Sequence, residues 1–484
     1  MQPGIPFMQS GLTLLSELSD GDVDWIFSAG RREKVSADAT VVIEGTQVAS
    51  IYLVLQGLLT VCLVSLGGKK LASLGAGQIF GEMSFLEDRP ASATVKALED
   101  SELLVIARTD LDAKLQTDPA FAARLYKALA VVTSRRLREL VGTLGRWLED
   151  QPPAEPKTLG RWQKIADQTQ QCKALLIQAD KAADDGESVA VDELATGIRT
   201  FAEFVEHAIG DTSEETLDAR EELGARMQRE ILPYLLKSRT IERFYSKPRG
   251  FAGDFQTIAL VYANKPAGTD PVGPVFDRTF LALPAVDALR SRRDMLTQII
   301  CASAAEHLGP LQITGLCSGP GDELFAAIAS GLGPDELIAT LVDFDARALA
   351  ELAVRSKQLG LGARVRLLNT NLFDLATGRP TLDVANQRLV YSINLFDSFD
   401  DRLAIQLLNT MHRLLEPGGK AIVASFQRGH PGKAFMDHIV DWKVMHRSVD
   451  EVSNLFARSN FQLPGSAPRF EKHGIIFLME CQKT

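Results

Sequence analysis

From residue 311 onward the chain alternates short apolar runs with amphipathic ones, and this alternation constrains the fold more than any other feature. LQITGLC, LIATLVD, RVRLLN, QRLVYSI, KAIVASF and GIIFLME have strand length. Between them, DELFAAIASGL, ARALAELAVRSKQLG, DRLAIQLLNTMHRLL and VDEVSNLFARS repeat apolar residues at helical spacing. Strands that read as nearly continuous apolar runs are buried on both faces, so the pattern predicts a doubly wound, Rossmann-like α/β domain.

The chain before it is patterned differently. Residues 1 to about 115 hold short runs rich in Val, Ile, Leu and Thr, punctuated by glycines such as Gly45, Gly57 and Gly77, as in a β sandwich or barrel. A long amphipathic helix follows over 119–148, with Leu125, Leu129, Val132, Leu137, Leu140, Val141, Leu144 and Leu148 on one stripe. That stripe serves either its own domain or a homodimer, and the helix length favours the homodimer as partner. QPPAEP at 151–156 reads as a stiff linker, and 157–246 as acidic helices. For 484 residues, about three domains are expected. The expected divisions are 1–150, 151–270 and 271–484 of a multidomain α+β and α/β chain.

Composition narrows the function classes. Lys+Arg number 52 against 62 Asp+Glu, a net charge of −10, which excludes a nucleic-acid binder working through a broad basic surface. Cys62, Cys172, Cys301, Cys317 and Cys481 are scattered without a C-x-x-C pair, so neither a metal site nor a disulfide framework is expected. No basic segment precedes an apolar core near the N-terminus, and no apolar run approaches ~20 residues. The expectation is a cytoplasmic protein without a membrane span.

Two resemblances sharpen this picture. VVIEG (41–45), IYLVLQG (51–57) and GQIFGEMSFLEDRPASATV (77–95) resemble the cyclic-nucleotide-binding β-roll of catabolite-activator-type regulators and nucleotide-gated kinases. The resemblance implies that Gly81 and Glu82 serve the cyclic phosphate and the ribose. Ala91, however, stands where the family places its phosphate-binding arginine, and Arg89 lies on the other side of Pro90. An Arg–phosphate contact is charge-assisted and hard to replace, so cyclic-nucleotide binding is in doubt, with Arg89 and Ser92 as substitute ligands. A β-roll retained for docking or dimerisation is the competing reading. In place of the helix-turn-helix of a family regulator the chain has the proline linker, which disfavours a transcription factor.

The second resemblance starts at ITGLCSGPGDEL (313–324), a glycine loop between a strand and a helix. Asp343 closes the next strand, where an acid can hold both hydroxyls of a ribose. Acidic residues in the loop would repel a pyrophosphate but tolerate the sulfonium of S-adenosylmethionine. With LLEPGGKAIVASF (414–426), the set resembles class I S-adenosylmethionine-dependent methyltransferases. The resemblance implies that Ser318, Gly319 and Gly321 line the methionine part, Asp343 takes the ribose, Asn371 lies near the adenine and Asn394 ends the fourth strand over the cofactor. Cys317 departs from the family, replacing its first glycine.

RGFAGDFQTIALVY (249–262), PAVDALRSRRDML (284–296), YSINLFDSFDDRLA (391–404) and DWKVMHRS (441–448) further resemble bacterial extracellular-factor, 3-hydroxypalmitic acid methyl ester synthases. That implies a small-molecule acceptor, a fatty acid methylated on its carboxylate. A carboxylate is already nucleophilic at pH 7, so catalysis would need alignment and desolvation, a cation to hold the carboxylate and an apolar trough. Arg290, Arg292, Arg293, Arg428, His430 and Arg447 are the candidate cations. His430, Asp254 and Arg293 are the catalytic candidates, with a helix N-cap the competing role for Asp254. A protein methyltransferase and a scaffold with a decayed donor site are the alternative functions.

Overall fold

The computed structural model describes residues 14, 17–144, 159–362, 364–377 and 382–484. The linker expected at 151–156, the N-terminal stretch and the last turn of the 119–148 helix lie outside the described residues.

The N-terminal domain packs two four-stranded antiparallel sheets. Its strands are β1 (Arg31–Val35), β2 (Thr40–Val42), β3 (Ser50–Gln56), β4 (Leu58–Leu63), β5 (Lys69–Gly75), β6 (Ile79–Phe80), β7 (Thr94–Ala97) and β8 (Ser101–Ala107). One sheet runs β1-β8-β3-β6 and the other β2-β7-β4-β5. Val54, Leu59, Ala97 and Leu103 fill the space between them. Helices α1 (Asp20–Ala29), α2 (Glu82–Glu87), α3 (Arg108–Thr117) and α4 (Pro119–Leu144) complete the roll. Phe121, Leu125, Ala128, Leu129 and Val132 of α4 are buried against this domain, so the described part of the stripe is used locally.

Three helices form a middle layer: α5 (Leu159–Asp184), α6 (Val191–Ile209) and α7 (Leu217–Leu235). Leu194, Ile198, Phe201 and Val205 of α6 recur at helical spacing on its buried face. Next come α8 (Arg239–Ser246), α9 (Phe255–Ala263), α10 (Gly273–Leu281) and α11 (Pro284–Glu306).

The C-terminal domain is built on an eight-stranded sheet. Its strands are β9 (Leu311–Leu316), β10 (Leu337–Asp343), β11 (Val365–Asn369), β12 (Gln387–Ser392), β13 (Leu415–Gln427), β14 (His446–Arg447), β15 (Arg469–Phe470) and β16 (Ile476–Gln482). They run β11-β10-β9-β12-β13-β16-β15, with β14 paired to the end of β13. The five strands β9 to β13 are parallel, while β16 lies antiparallel beside β13. The intervening helices are α12 (Asp322–Ala329), α13 (Ala346–Gln358), α14 (Leu372–Thr377), α15 (Asp401–Leu414) and α16 (Val449–Arg458). All six apolar runs and all four helical runs read from the sequence form the elements expected of them.

Side chains alternate between the sheet faces. Leu389, Tyr391, Ile422 and Ala424 join one apolar cluster, shared with α11, α12 and the middle helices. Val390, Ala421 and Val423 join another, shared with α15, α16, α1, α4 and the roll. The roll also meets the C-terminal half of the chain at its backbone. A Cβ on Gly250 would lie 2.6 Å from the Gly75 nitrogen, and a Cβ on Gly75 would strike the carbonyl oxygen of Arg249. Gly75→Ala should therefore lower the melting temperature by several degrees, as expected for a loss of roughly 1–3 kcal/mol from overpacking. Gly21→Ala, with nothing within 4 Å of the added carbon, should leave melting unchanged or raise it slightly, and thermal melts of the two variants check this.

Candidate active site

The sheet order reverses between β9 and β12, and such a switch point opens a crevice at the carboxyl ends of the strands. The loop after β9 enters it through alternating left-handed residues: Cys317 (φ 53°), Gly319 (φ 52°) and Gly321 (φ 62°). At Gly321 a Cβ would lie 2.7 Å from Leu352 Cδ2, so only glycine lets α12 begin there. The winding turns the Gly319 N–H toward Asp343 Oδ2, to which it donates at 2.8 Å. The Asp345 N–H donates to the other oxygen at 2.9 Å. Burial pushes the Asp343 carboxyl up to about 6, and these backbone donors oppose the rise. When ionised, the carboxylate accepts from these backbone donors and keeps further acceptor capacity toward the cleft.

A second polar group closes the inner end. Arg292, on α11, is 3% exposed. One of its terminal nitrogens donates to Asn394 Oδ1 at 2.6 Å and to the Tyr262 hydroxyl at 3.4 Å. Its Nε has no hydrogen-bond partner, and among the described residues no carboxylate forms an ion pair with it. Nearby, Tyr391 donates to Glu323 Oε1 at 2.8 Å while Oε2 is unpartnered, and burial raises the Glu323 carboxyl to about 7. Asp397 also lines the cleft, accepts from Ser425 Oγ at 2.8 Å and the Phe426 N–H at 3.2 Å, and is raised by burial to about 6.

The walls are aromatic. Phe251 and Phe344 lie 5.6 Å apart beside Asp343, and Phe426 and Trp442 meet edge to face at 5.7 Å. Ile258, Leu289 and Val444 extend the apolar surface.

The structure distributes the sequence-derived residues as follows. Gly319, Asp343 and Asn394 line the cleft together. Ser318 and Gly321 shape the loop from behind, and the Ser318 hydroxyl donates to the Gly315 carbonyl at 3.0 Å. Asn371 is buried off the cleft, where its amide donates to Asp374 Oδ2 at 2.5 Å. Asp254 caps α9, accepting from the Gln256 and Thr257 N–H groups and pairing with Arg243 at 2.9 Å. Asp254 itself serves as the N-cap, while Phe251, Ala252 and Gly253 of the preceding turn line the cleft. Arg293 lies outside the cleft, paired with Asp294 at 2.6 Å. His430 sits behind Phe426, its Nε2 3.1 Å from Nε2 of His446, and burial lowers it to about 4. Arg290 and Arg428 are held by Asp287 and Glu451, and Arg447 by Asp401 with the carbonyls of Phe396 and Phe399. Of the candidate cations, Arg292 alone lines the cleft.

Sequence reasoning did not single out Phe251, Phe344 or Asp397. The positions of Phe344 after the strand-ending acid, and of Phe251 and Asp397 inside GFAGD and NLFDS, were the available signals.

In the roll, Gly81 (φ 87°) opens α2 and Glu82 is buried. Glu82 is ion-paired with Arg136 of α4, which also donates to the Ile79 carbonyl. Arg89 is exposed and 3.9 Å from Glu87, Ser92 is exposed, and Ala91 is buried in the roll's core.

Residues 32–118 match the family model of the cyclic nucleotide-binding domain, and residues 245–478 match that of a family described as "Putative methyltransferase". The chain thus carries two separate segments, one matching the cyclic nucleotide-binding domain model and one matching the "Putative methyltransferase" model. The cyclic AMP receptor protein of Thermus thermophilus is 36% identical over 131 residues, 27% of this chain and 59% of the relative. A protein of Rhodopseudomonas palustris named as a potassium channel protein is 28% identical over 130 residues, 27% of this chain and 32% of the relative. The chain therefore spans less than two thirds of either relative. Among solved structures, the catabolite activator protein of Thermus thermophilus aligns over 38% of this chain and 79% of its own, at 28% identity and a TM-score of 0.25. A Bordetella parapertussis protein described as a possible exported protein aligns over 61% of this chain and 97% of its own, at 17% identity and a TM-score of 0.43. Among the described residues, no helix is long and apolar enough to cross a membrane.

The left-handed Cys317 carries a Cβ where that conformation costs roughly 1–2 kcal/mol. Cys317→Gly should consequently be more stable than Cys317→Ala by about 1 kcal/mol, although both lose the buried thiol. Denaturant unfolding of the pair tests this.

Proposed function

We propose that the chain is an S-adenosylmethionine-dependent methyltransferase acting on a small acceptor that carries a carboxylate and an apolar tail, a fatty acid or hydroxy fatty acid being the class that fits. The observation that carries this reading is Arg292. A buried guanidinium needs compensating charge; among the described residues Arg292 forms no direct ion pair, only the fields of Glu323 and Asp397 reach it, and it faces an aromatic cleft beside the Gly319–Asp343 pair. Such a place suits a ligand that brings its own carboxylate.

The residues present fit the donor. Asp343 offers two free lone pairs to vicinal hydroxyls, and Phe251 and Phe344 offer aromatic faces beside them. When bound, S-adenosylmethionine supplies an electrophilic methyl group on a sulfonium. This chain's own part is placement: Arg292 and Asn394 fix a carboxylate, while Phe426, Trp442 and Val444 exclude water and hold an apolar tail. An acceptor carboxylate needs no general base, in keeping with the position of His430 outside the cleft. Arg292 and Asn394 would hold a carboxylate oxygen toward the methyl group that the bound donor would supply, and no side chain would need to take up a proton.

For the roll, we propose docking rather than ordinary cyclic-nucleotide sensing. Arg136 already holds the cassette glutamate, and Ala91 provides no cation for a phosphate. Cyclic AMP should leave the melting temperature of the native chain unchanged and raise that of an Ala91→Arg, Arg136→Ala double variant. A shift in the native chain would reject this view of the roll.

The donor site is tested by calorimetric titration with S-adenosylmethionine. Binding should strengthen as pH rises through about 6, because the carboxyl of Asp343, raised by burial, accepts from hydroxyls best when ionised. Asp343→Asn should flatten that dependence and weaken binding by about 10-fold or more, the worth of a hydrogen bond to a charged group. No binding by the native chain would overturn the methyltransferase reading. The acceptor is tested with methyl-labelled donor and a lipid-replenished extract. Label should enter the organic phase, and Arg292→Gln should abolish that transfer.

A further inference from the structure

The N-terminal roll is fastened to the loops that form the donor side of the cleft. Arg249, 7% exposed, is the principal fastening. Its guanidinium donates to both oxygens of Asp345, at 2.5 and 2.9 Å, and to both oxygens of Glu99 in the roll, at 2.9 and 3.4 Å. Glu99 also pairs with Arg347, at 2.7 Å. Asp345 is the N-cap of α13, and its backbone N–H is one of the two donors that orient Asp343. Two residues beyond Arg249 stands Phe251, half of the aromatic pair beside Asp343.

A second fastening reaches the neighbouring loop. Arg32 of β1 contacts both carboxylate oxygens of Asp374, at 3.5 and 3.4 Å, and Asp374 accepts from Asn371 after β11. The backbone contact of Gly75 with Arg249 and Gly250 lies between the two. Three contacts from one domain thus converge on the loops following β10 and β11 and on the 249–251 segment.

We propose that the roll is a positioning element of the donor site: through Glu99 and Arg249 it sets Asp345 and the 249–251 segment, so that a change in the roll is read as a change in donor affinity. This rests on the donor-site reading given above. Arg249 and Glu99 touch no reacting atom and act through Asp345 and Phe251. By linkage, whatever shifts the roll changes donor affinity, and donor binding changes the roll by the same factor.

Calorimetric titration of the full chain with S-adenosylhomocysteine tests the proposal. Glu99→Gln keeps the Arg249–Asp345 pair and should weaken binding about fivefold or more, at the low end of ordinary coupling between sites. Glu99→Asp should restore part of the loss. In an Arg249→Gln background, Glu99→Gln should have a smaller effect than in the native chain, because only its pair with Arg347 is left to lose. Arg32→Gln, at a half-exposed position that folding tolerates, is the second probe and should shift affinity in the same direction. Asp38→Asn, which breaks an exposed Lys96–Asp38 pair within the roll, should change nothing. If the native chain binds and neither Glu99→Gln nor Arg32→Gln alters affinity, the positioning role is overturned while the donor site stands. If the native chain does not bind, the donor-site reading falls, and the positioning role with it.

Discussion

The rest of the molecule depends on a sheet that must be covered on both faces. A parallel sheet of Val, Leu, Ile and Ala strands has no side that water can keep, so each face needs a partner layer. Here the two faces recruit different parts of the chain. One closes against α11, α12 and the helices that precede them, the other against α15, α16 and the helical flank of the roll. The sheet is therefore the joint of the whole protein as well as the frame of one domain. Joining the roll by this route brings its loops to the carboxyl edge of β10 and β11.

Along that edge the chain buries charge deliberately. Asp343, Glu323 and Asp397 are all raised by burial, and Arg292 lies among them without an ion pair. Folding alone gains nothing from groups left in this condition. The arrangement is intelligible as a site whose electrostatics are completed by what it binds. Asp254 and Arg243 form the contrast: equally buried and fully paired, they hold the start of α9 and leave nothing for a ligand.

Legibility in the sequence followed the range of the forces involved. Periodicity is local, so the six long strands and four long helices after residue 311 could be read, as could the glycine loop and Asp343, whereas β14, β15 and α14 are too short to show a period. Gly319, Asp343 and Asn394 meet because each lies at or just past the carboxyl end of a strand at one edge, which the alternation already implies. What could not be read was the choice among chemically equal residues. Arg292 and Arg293 are neighbours on one helix, and only the helix's rotation against β12 sends the first inward and the second to Asp294. Asn371 satisfies a motif position yet spends its amide on Asp374, a residue anchored by the roll. The Glu82–Arg136 pair was hidden for the same reason: no local pattern in α4 tells that one arginine reaches back 54 residues.

The shared apolar cluster also has a temporal side. Its first half includes Leu18, whose carbonyl accepts from Arg402 of α15, and leaves the ribosome long before its second half, around Leu403 and Leu407. At ordinary synthesis rates of about 5–20 residues per second, the earlier surface stands uncovered for roughly 20–80 seconds. A nascent roll is thus greasy on the flank that later becomes its seam, and a prematurely ended chain keeps that flank for good.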